Sequence, residues 1–332
     1  MKRNCGLDLL RIIAMAMIVL RHGVCQSGVT DAPAATALNR MIGIFVYDFT
    51  AVAVNCFVLI TGYFLSKQEF RLKRIVSIWV TVLFYSVGVF LCSVFVSSPS
   101  PLNFPGVLRA LTPICSDTYW FISRYLLVVL VSPLLNSAIS AVRGRLAVPF
   151  VALIAMFSVL PTLGIDLVGA ADGYSFGWFA VLYLTGAWLR ERETASRWNL
   201  PAYLALFALT LGYHLGRKFL KSRGVELTSP DGYNFLTNYL ASVFLFLFFA
   251  ALEIRREGVR RTIAFLAPLM IGVYLFHDHY MKHFLWRDLL GANVFCETSA
   301  WLYQVPSRIA AVFAAGCAVE WARRKLFGRA FA

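Results

Sequence analysis

The amino-acid sequence predicts an all-α, polytopic integral membrane protein, and three observations support this prediction. Hydrophobic residues make up 59% and aromatic residues 15% of the 332 residues, and the mean hydropathy is +0.70, far above what a soluble domain of this length needs. Apolar stretches of about 20 residues, long enough to cross a bilayer as a helix, recur from end to end. Lipid cannot bind backbone amides, and the alternation typical of barrel strands is absent, so these stretches are expected to be helices.

The apolar stretches predict about ten membrane-spanning helices joined by short loops. Their approximate ranges are 7–25, 41–65, 75–97, 119–140, 146–163, 173–190, 200–216, 236–253, 263–285 and 299–322. The first stretch also has features of a cleaved signal peptide, but Asp8 and Arg11 interrupt its apolar region and favour a span. No composition shift or internal repeat marks a second domain, so residues 1–332 are predicted to form a single membrane-embedded domain.

Basic residues collect in alternate loops of the ten-span arrangement. By the positive-inside rule this side is the cytoplasm, which places both termini of the multi-pass protein there. The basic segment 217–224 is an exception, because it lies outside. The net charge of +14 is therefore a topology signal, and nucleic acid is not expected as a partner. The basic positions on the cytoplasmic side are Lys2, Arg3, Lys67, Arg71, Lys73, Arg74, Arg143, Arg145 and those of segments 190–197, 253–261 and 323–329.

Charged residues in the first span form a stripe. Arg11 and His22 are eleven residues apart, so both project from nearly the same helix face, separated by about 16 Å along the axis. Asp8 lies three residues before Arg11, at the spacing of an ion pair. Charges inside a bilayer usually face the bundle interior. The alternative is that Arg11 and Asp8 anchor the helix at the interface while His22 caps its outer end.

Several motifs together resemble the membrane-bound acyltransferase 3 family. The opening "GLDLLRIIAMAMIVLRHG" is similar to the family's first helix, in which ten residues separate an arginine from a histidine, as they do Arg11 and His22. "FRLKRI" supplies an Arg-x-x-Arg element at Arg71 and Arg74. "NCFVLITGYFLSK", "YWFISRYLLVVLVSPLLN" and "IGVYLFHDHYM" resemble later family segments, the last of them containing a Gly-x-Tyr-Leu-x-His pattern. The resemblance covers essentially the whole chain.

This resemblance implies transfer of an acyl group, often acetyl, from a cytoplasmic donor such as acetyl-CoA to a glycan or lipid-linked glycan. The donor is then a substrate, membrane lipids surround the protein, and no permanently bound cofactor is expected. The resemblance also implies a multi-pass protein of the bacterial plasma (inner) membrane. We hypothesise that His22 is the general base, since neutral imidazole is available near neutral pH, and that Arg11, oriented by Asp8, positions the donor. Arg71, Lys73 and Arg74 suit the donor phosphates, although an ordinary cytoplasmic loop would also carry these charges.

Other polar residues inside the spans are candidates for supporting roles. Asp48 and Asn55 are seven residues apart and are expected to share a face of the second span. Arg124 lies seven residues after Asp117, and Trp120 lies on the same side of the fourth span. Each of these residues can instead be explained as a hydrogen-bonding link between helices.

The late segment "FHDHYMKHF" contains three histidines. His277 and Tyr274 match the family pattern, and His277 is expected to line a cavity near the outer face. His279 and His283 have the spacing of a metal-binding pair, but the glutamate and the other ligands of such a site are missing, so no metal site is predicted.

The main alternative function is a polytopic transporter of a small anionic or sugar-like solute, because intramembrane charges would also line a permeation path. A transporter would favour an inverted repeat or matching broken helices, which the sequence does not reveal. A third possible function is a membrane sensor without enzymatic activity. The polar stripe of the first span argues against it.

Overall fold

The computed structural model describes residues 4–96, 101–141, 147–192 and 195–327, and within these ranges all regular structure is helical. Short π-helical or 3-10 turns occupy Ala155–Val159, Ala171–Gly173, Ala267–Leu269 and Phe284–Leu289. The α-helices are α1 (Cys5–Ser27), α2 (Ala37–Thr50), α3 (Ala53–Leu65), α4 (Leu72–Val96), α5 (Phe104–Leu111), α6 (Trp120–Ala141), α7 (Ala147–Ile154), α8 (Leu160–Thr162), α9 (Phe176–Arg190), α10 (Asn199–Lys221), α11 (Leu236–Ala250), α12 (Glu257–Leu266), α13 (Met270–His277) and α14 (Trp301–Phe327).

Five helical stretches of the described chain are both long enough and apolar enough to cross a membrane. The protein is therefore an all-helical, multi-pass membrane protein, as the sequence predicts. Each of the ten predicted spans falls on one helix or on consecutive helices, but the count of ten and the orientation of the termini remain predictions. Lys2, Arg3, Arg143 and Arg145, which support that orientation, lie outside the described residues. The five stretches are Ala37–Leu65, Leu72–Val96, Trp120–Ile139, Glu257–His277 and Trp301–Phe327.

Two of the predicted spans contain breaks. In the second span, α2 ends at Thr50, whose hydroxyl donates to the carbonyls of Val46 at 2.8 Å and Tyr47 at 3.1 Å, and α3 begins only at Ala53. In the predicted span 263–285, α13 ends at His277, because the next residue has non-helical backbone angles (φ −112°, ψ 61°), and helical structure resumes only at Lys282. Polar residues lie beside both breaks: Asp48 near the end of α2 and Asp278 directly after α13.

The chain forms two compact units, each built from discontinuous segments. The first comprises Met1–Ala14, Ile44–Phe70 and Leu127–Ala264, and the second comprises the remaining segments Met15–Gly43, Arg71–Leu126 and Phe265–Ala332. These units are groups of contacting segments within the chain, so they do not test the prediction that residues 1–332 form a single membrane-embedded domain.

Glycines allow α3 and α9 to pack closely in the first unit. A Cβ added at Gly62 would lie 2.1 Å from the carbonyl oxygen of Tyr183, and one added at Gly186 would lie 2.2 Å from that of Leu59. Small residues at helix contacts are typical of membrane proteins, since they let backbones approach and gain van der Waals contact. This contact fixes the polar residues on α3.

A buried polar cluster fixes α13 in the second unit. The Glu320 carboxylate on α14 accepts from Arg323 Nε at 2.8 Å and Nη2 at 2.7 Å, and from the Tyr85 hydroxyl at 3.1 Å. Gly272 of α13 packs on this cluster, since a Cβ there would lie 2.4 Å from the Glu320 Cβ. The opposite end of α13 is His277, so the cluster sets the position of that histidine.

Candidate active site

Two histidines meet in the second unit. Nδ1 of His22, on α1, lies 3.0 Å from Nε2 of His277, the last residue of α13. The ring centroids are 5.1 Å apart and the planes are inclined by 50°. His277 is fully buried, whereas His22 keeps part of its surface exposed. His22 is therefore the member of the pair that retains exposed surface.

The hydrogen bonds of the pair define its protonation pattern. Nδ1 of His277 lies 2.6 Å from the carbonyl oxygen of Val273, and a carbonyl only accepts, so this nitrogen carries a proton. In neutral His277 the Nε2 atom is then the acceptor, and Nδ1 of His22 donates to it. Neutral His22 consequently keeps its own Nε2 unprotonated, with a lone pair available to a substrate.

Aromatic rings enclose the buried end of the pair. The rings of Tyr274 and Trp286 meet that of His277 edge to face, with centroid distances of 6.2 and 6.4 Å. Gly23 lets α1 approach, because a Cβ there would lie 3.1 Å from the Trp286 ring and 2.5 Å from the side chain of Ile309. This packing restricts the orientation of both imidazoles.

A buried carboxylate follows the pair directly along the chain. Asp278 is 3% exposed, and its Oδ1 accepts from Lys282 Nζ at 2.9 Å. Its negative charge also interacts electrostatically with His22. The sequence interpretation did not single out Asp278. The available signal was an acidic residue flanked by two histidines in an otherwise apolar segment.

The first unit contains Asp8 and Arg11 of α1. Nη1 of Arg11 donates to Oδ1 of Asp8 at 2.7 Å, the ion pair that their spacing predicts. The Arg11 guanidinium lies 5.4 Å from the ring centroid of Phe64, in cation–π geometry. The Asp8 side chain is 6% exposed and that of Arg11 is 33% exposed. Asp8 therefore holds a partly accessible guanidinium in one orientation.

The predicted donor-binding residues lie at the start of α4. Arg71 immediately precedes the helix, and Lys73 and Arg74 belong to its first turn. Arg71 and Lys73 are exposed, and Arg74 is half-buried. The N-terminal end of a helix carries a partial positive charge, which adds to these cations. The segment is therefore electropositive and chemically suited to phosphate groups.

Trp120 is the first residue of α6, and Arg124 lies about one turn further along it. Arg124 Nη1 forms an ion pair with Asp117, whose φ of +52° places it in a tight left-handed turn before the helix. Trp120 meets Phe121 edge to face at 6.0 Å. This ion pair links the turn to the helix and accounts for the presence of Arg124 in the fourth span.

The short turn between α2 and α3 lies between Asp48 and Asn55, and the two side chains have different partners. The expectation that they share one helix face stays a prediction. Nδ1 of His214 lies 2.9 and 3.1 Å from the two carboxylate oxygens of Asp48. Asn55 accepts from Trp178 Nε1 at 3.1 Å and donates to the Tyr233 carbonyl at 2.8 Å. Asn55 therefore joins helices within the first unit.

The segment after His277 does not form the helical surface that its histidine spacing suggests. His279 lies in the turn that follows α13, and its Nδ1 accepts from the backbone amide of Met281 at 3.0 Å. His279 and His283 consequently do not stand one turn apart on a regular helix.

The comparison with known families agrees with the motifs and with the helical membrane architecture. The family model described as an acyltransferase domain matches residues 4–322, nearly the whole chain. Neither the search of curated proteins nor the search of solved structures found a match. The chain therefore belongs to the acyltransferase 3 family and is a membrane acyltransferase.

Proposed function

We propose that the protein transfers an acetyl group from cytoplasmic acetyl-CoA to a hydroxyl of a glycan or lipid-linked glycan at a bacterial inner membrane. The observation that supports this proposal is the hydrogen-bonded chain from the Val273 carbonyl through His277 to His22, because it leaves a lone pair on Nε2 of the partly exposed His22. A general base is what a hydroxyl acceptor needs in order to attack a thioester.

The proposed reaction proceeds by direct transfer. Nε2 of His22 takes the proton of the acceptor hydroxyl while the hydroxyl oxygen forms a bond to the thioester carbonyl carbon. The carbon–sulfur bond then breaks, and the CoA thiolate leaves with the electron pair. The imidazolium of His22 returns its proton to that sulfur, so the products are the acetyl ester and CoA.

His277 and Asp278 assist His22 without touching the reacting atoms. After His22 accepts a proton, its Nδ1–H still donates to Nε2 of His277, so the hydrogen bond persists through the reaction. The nearby Asp278 carboxylate favours the positive charge that forms on His22. Preorganised groups of this kind stabilise a developing charge without reorganising during the reaction.

Basic residues bind the donor in this proposal. Arg71, Lys73 and Arg74 bind phosphate oxygens of acetyl-CoA, since guanidinium and ammonium groups form charge-assisted hydrogen bonds with phosphate. Arg11, held by Asp8, positions the donor. The acceptor in this proposal is a hydroxyl, because a hydroxyl needs the base that His22 provides, and a glycan is the acceptor class that the family resemblance implies.

The proposal is tested with the purified full chain, acetyl-CoA labelled in its acetyl group and bacterial envelope glycans. We expect the label to appear in an alkali-labile ester on the glycan, and His22→Ala to abolish this transfer. His283→Ala is the matched control, because His283 is an exposed histidine of the same unit. Failure of the wild-type protein to transfer the label, or transfer by His22→Ala at the wild-type rate, would refute the proposal.

A further inference from the structure

A second polar cluster lies in the first unit. It brings together Asp48 near the end of α2, His214 on α10 and Asp231 in the segment between α10 and α11. One ligand atom from each residue lies within 4.8 Å of the other two. Asp48 is 3% and His214 is 5% exposed, and Asp231 is half-buried.

Hydrogen bonds order the side chains of the cluster. Nδ1 of His214 lies 2.9 and 3.1 Å from the two oxygens of Asp48, a contact between two of the side chains that a bound ion would replace. The hydroxyl of Ser229 donates to Oδ2 of Asp231 at 2.5 Å and so fixes the direction of that carboxylate. Hydrogen bonds that orient ligand side chains are a regular feature of metal sites.

The charges of the cluster favour a cation. Two carboxylates and one imidazole stand together, and Asp48 and His214 have little contact with water. Removing a charge from water is costly unless an opposite charge compensates it, so a cation stabilises a buried carboxylate. A divalent cation matches the charge of two carboxylates and therefore suits this set of side chains.

We propose that Asp48, His214 and Asp231 bind a divalent transition-metal ion and that Zn²⁺ fits the ligand set best. Imidazole nitrogen and carboxylate oxygen both bind Zn²⁺ at about 2.0–2.2 Å, so small movements of these side chains would complete the site. Three protein ligands leave a further coordination position for water or another small ligand. The sequence gives no spacing signal for this site because its ligands come from positions 48, 214 and 231.

The proposed ion has a structural consequence within the first unit. It would join α2, α10 and the segment that precedes α11. Tyr233, two residues after Asp231, carries the carbonyl to which Asn55 donates. The ion would therefore stabilise the same polar links that hold α3, because an ion that binds only the folded chain raises its stability.

Metal content and thermal unfolding of the full chain in detergent test this proposal. After equilibration with Zn²⁺ and dialysis, we expect about one bound ion per chain and a higher Tm than after EDTA treatment. Asp231→Asn keeps the size of the side chain and the Asp48–His214 pair, yet should lower Zn²⁺ affinity more than about tenfold. Asp172→Asn is the matched control, since Asp172 is an exposed aspartate of the same unit with a φ of +51° that asparagine tolerates.

Two results would overturn the proposal. One is a wild-type protein that retains no stoichiometric Zn²⁺ and has the same Tm with and without EDTA. The other is an Asp231→Asn protein that binds Zn²⁺ as tightly as the Asp172→Asn control. His214→Ala provides a second test should Asp231→Asn fold poorly, and size-exclusion chromatography identifies folded protein. Acetyl transfer is not needed for either readout, so this test is independent of the proposed reaction.

Discussion

The imidazoles of His22 and His277 are hydrogen-bonded at 3.0 Å although 255 positions separate them in the chain. The buried ring fixes the proton on the partly exposed ring, because its own Nδ1 is committed to the Val273 carbonyl. The reactivity of His22 in the proposed mechanism thus depends on a residue of a different helix.

Removing the hydrogen-bond acceptor of His22, which is Nε2 of His277, should slow acetyl transfer without weakening the binding of acetyl-CoA. We expect His277→Leu to lower kcat at least tenfold, a fraction of the roughly 10²–10⁴-fold that a general base contributes, and to leave KM for acetyl-CoA unchanged. His277→Gln offers an amide oxygen to Nδ1 of His22 and should restore part of kcat. Equal kcat values for the Leu and Gln variants would show that the hydrogen-bond acceptor for Nδ1 of His22 does not affect the reaction. The measurement is steady-state acetyl transfer.

The charge on Asp278 should matter more than its hydrogen bond to Lys282. We expect Asp278→Asn to lower kcat by about tenfold, because the imidazolium of His22 loses a nearby negative charge. Lys282→Gln removes the other half of the ion pair and should leave at least wild-type kcat. If the two variants are impaired equally, the ion pair as a structural unit, and not the carboxylate charge, supports the site.

The basic residues at the start of α4 should affect donor binding selectively. We expect Arg71→Ala to raise KM for acetyl-CoA roughly ten- to hundredfold with little change in kcat, since a charged hydrogen bond contributes about 1.5–3 kcal/mol. Arg260→Ala is the control, because Arg260 is an exposed arginine in a basic segment on the same predicted side. Similar KM values for both variants would contradict a donor site at Arg71.

The close contact between α3 and α9 should tolerate no added methyl group. Gly62→Ala places a Cβ 2.1 Å from the backbone oxygen of Tyr183, and we expect a loss of about 1–3 kcal/mol in the free energy of unfolding. Gly212→Ala is the matched control on α10, because no atom lies within 4 Å of the Cβ it adds. Thermal unfolding in detergent should show a lower Tm for Gly62→Ala only. A Tm equal to that of the control would show that the helices can separate at little cost.

The buried Glu320–Arg323 pair should contribute more to stability than an exposed pair of the same spacing. Glu320 is 1% exposed, and its neutralisation in Glu320→Gln leaves the Arg323 guanidinium without a counter-charge. We expect a cost of about 3–5 kcal/mol in the free energy of unfolding. Glu257→Gln breaks the exposed Glu257–Arg260 pair and should change stability by less than about 1 kcal/mol. Chemical unfolding of both variants makes the comparison, and equal losses would contradict it.

Much of the architecture was predictable because it depends on local composition. An apolar stretch must satisfy its own backbone in lipid, and the predicted spans fall on helices for this reason. The Asp8–Arg11 pair was likewise predictable, since both residues belong to one helix and their spacing alone brings them together. The motifs around Arg11, His22, Arg71 and Arg74 indicated the acyltransferase 3 family, which the family comparison confirmed.

The helix breaks were not predictable from hydropathy. Nothing in the apolar pattern marks the end of α2 at Thr50, because a hydroxyl bond to the backbone leaves the hydropathy unchanged. The polar run of His277, Asp278 and His279 lowers the hydropathy locally but does not show that the backbone leaves the helix there. The break after Thr50 lies between Asp48 and Asn55, and the break after His277 introduces Asp278 beside the histidine pair. At the second break the site differs from its sequence interpretation.

By itself, the sequence determined that the chain is helical, apolar enough for a membrane and equipped with the residue types of an acyltransferase, because each of these properties is local. Only the tertiary structure decided that His277 meets His22, that Asp278 lies near them, and that Asp48, His214 and Asp231 form a cluster. Such partnerships depend on which helices pack together, and close contacts at residues such as Gly23 and Gly62 set that packing.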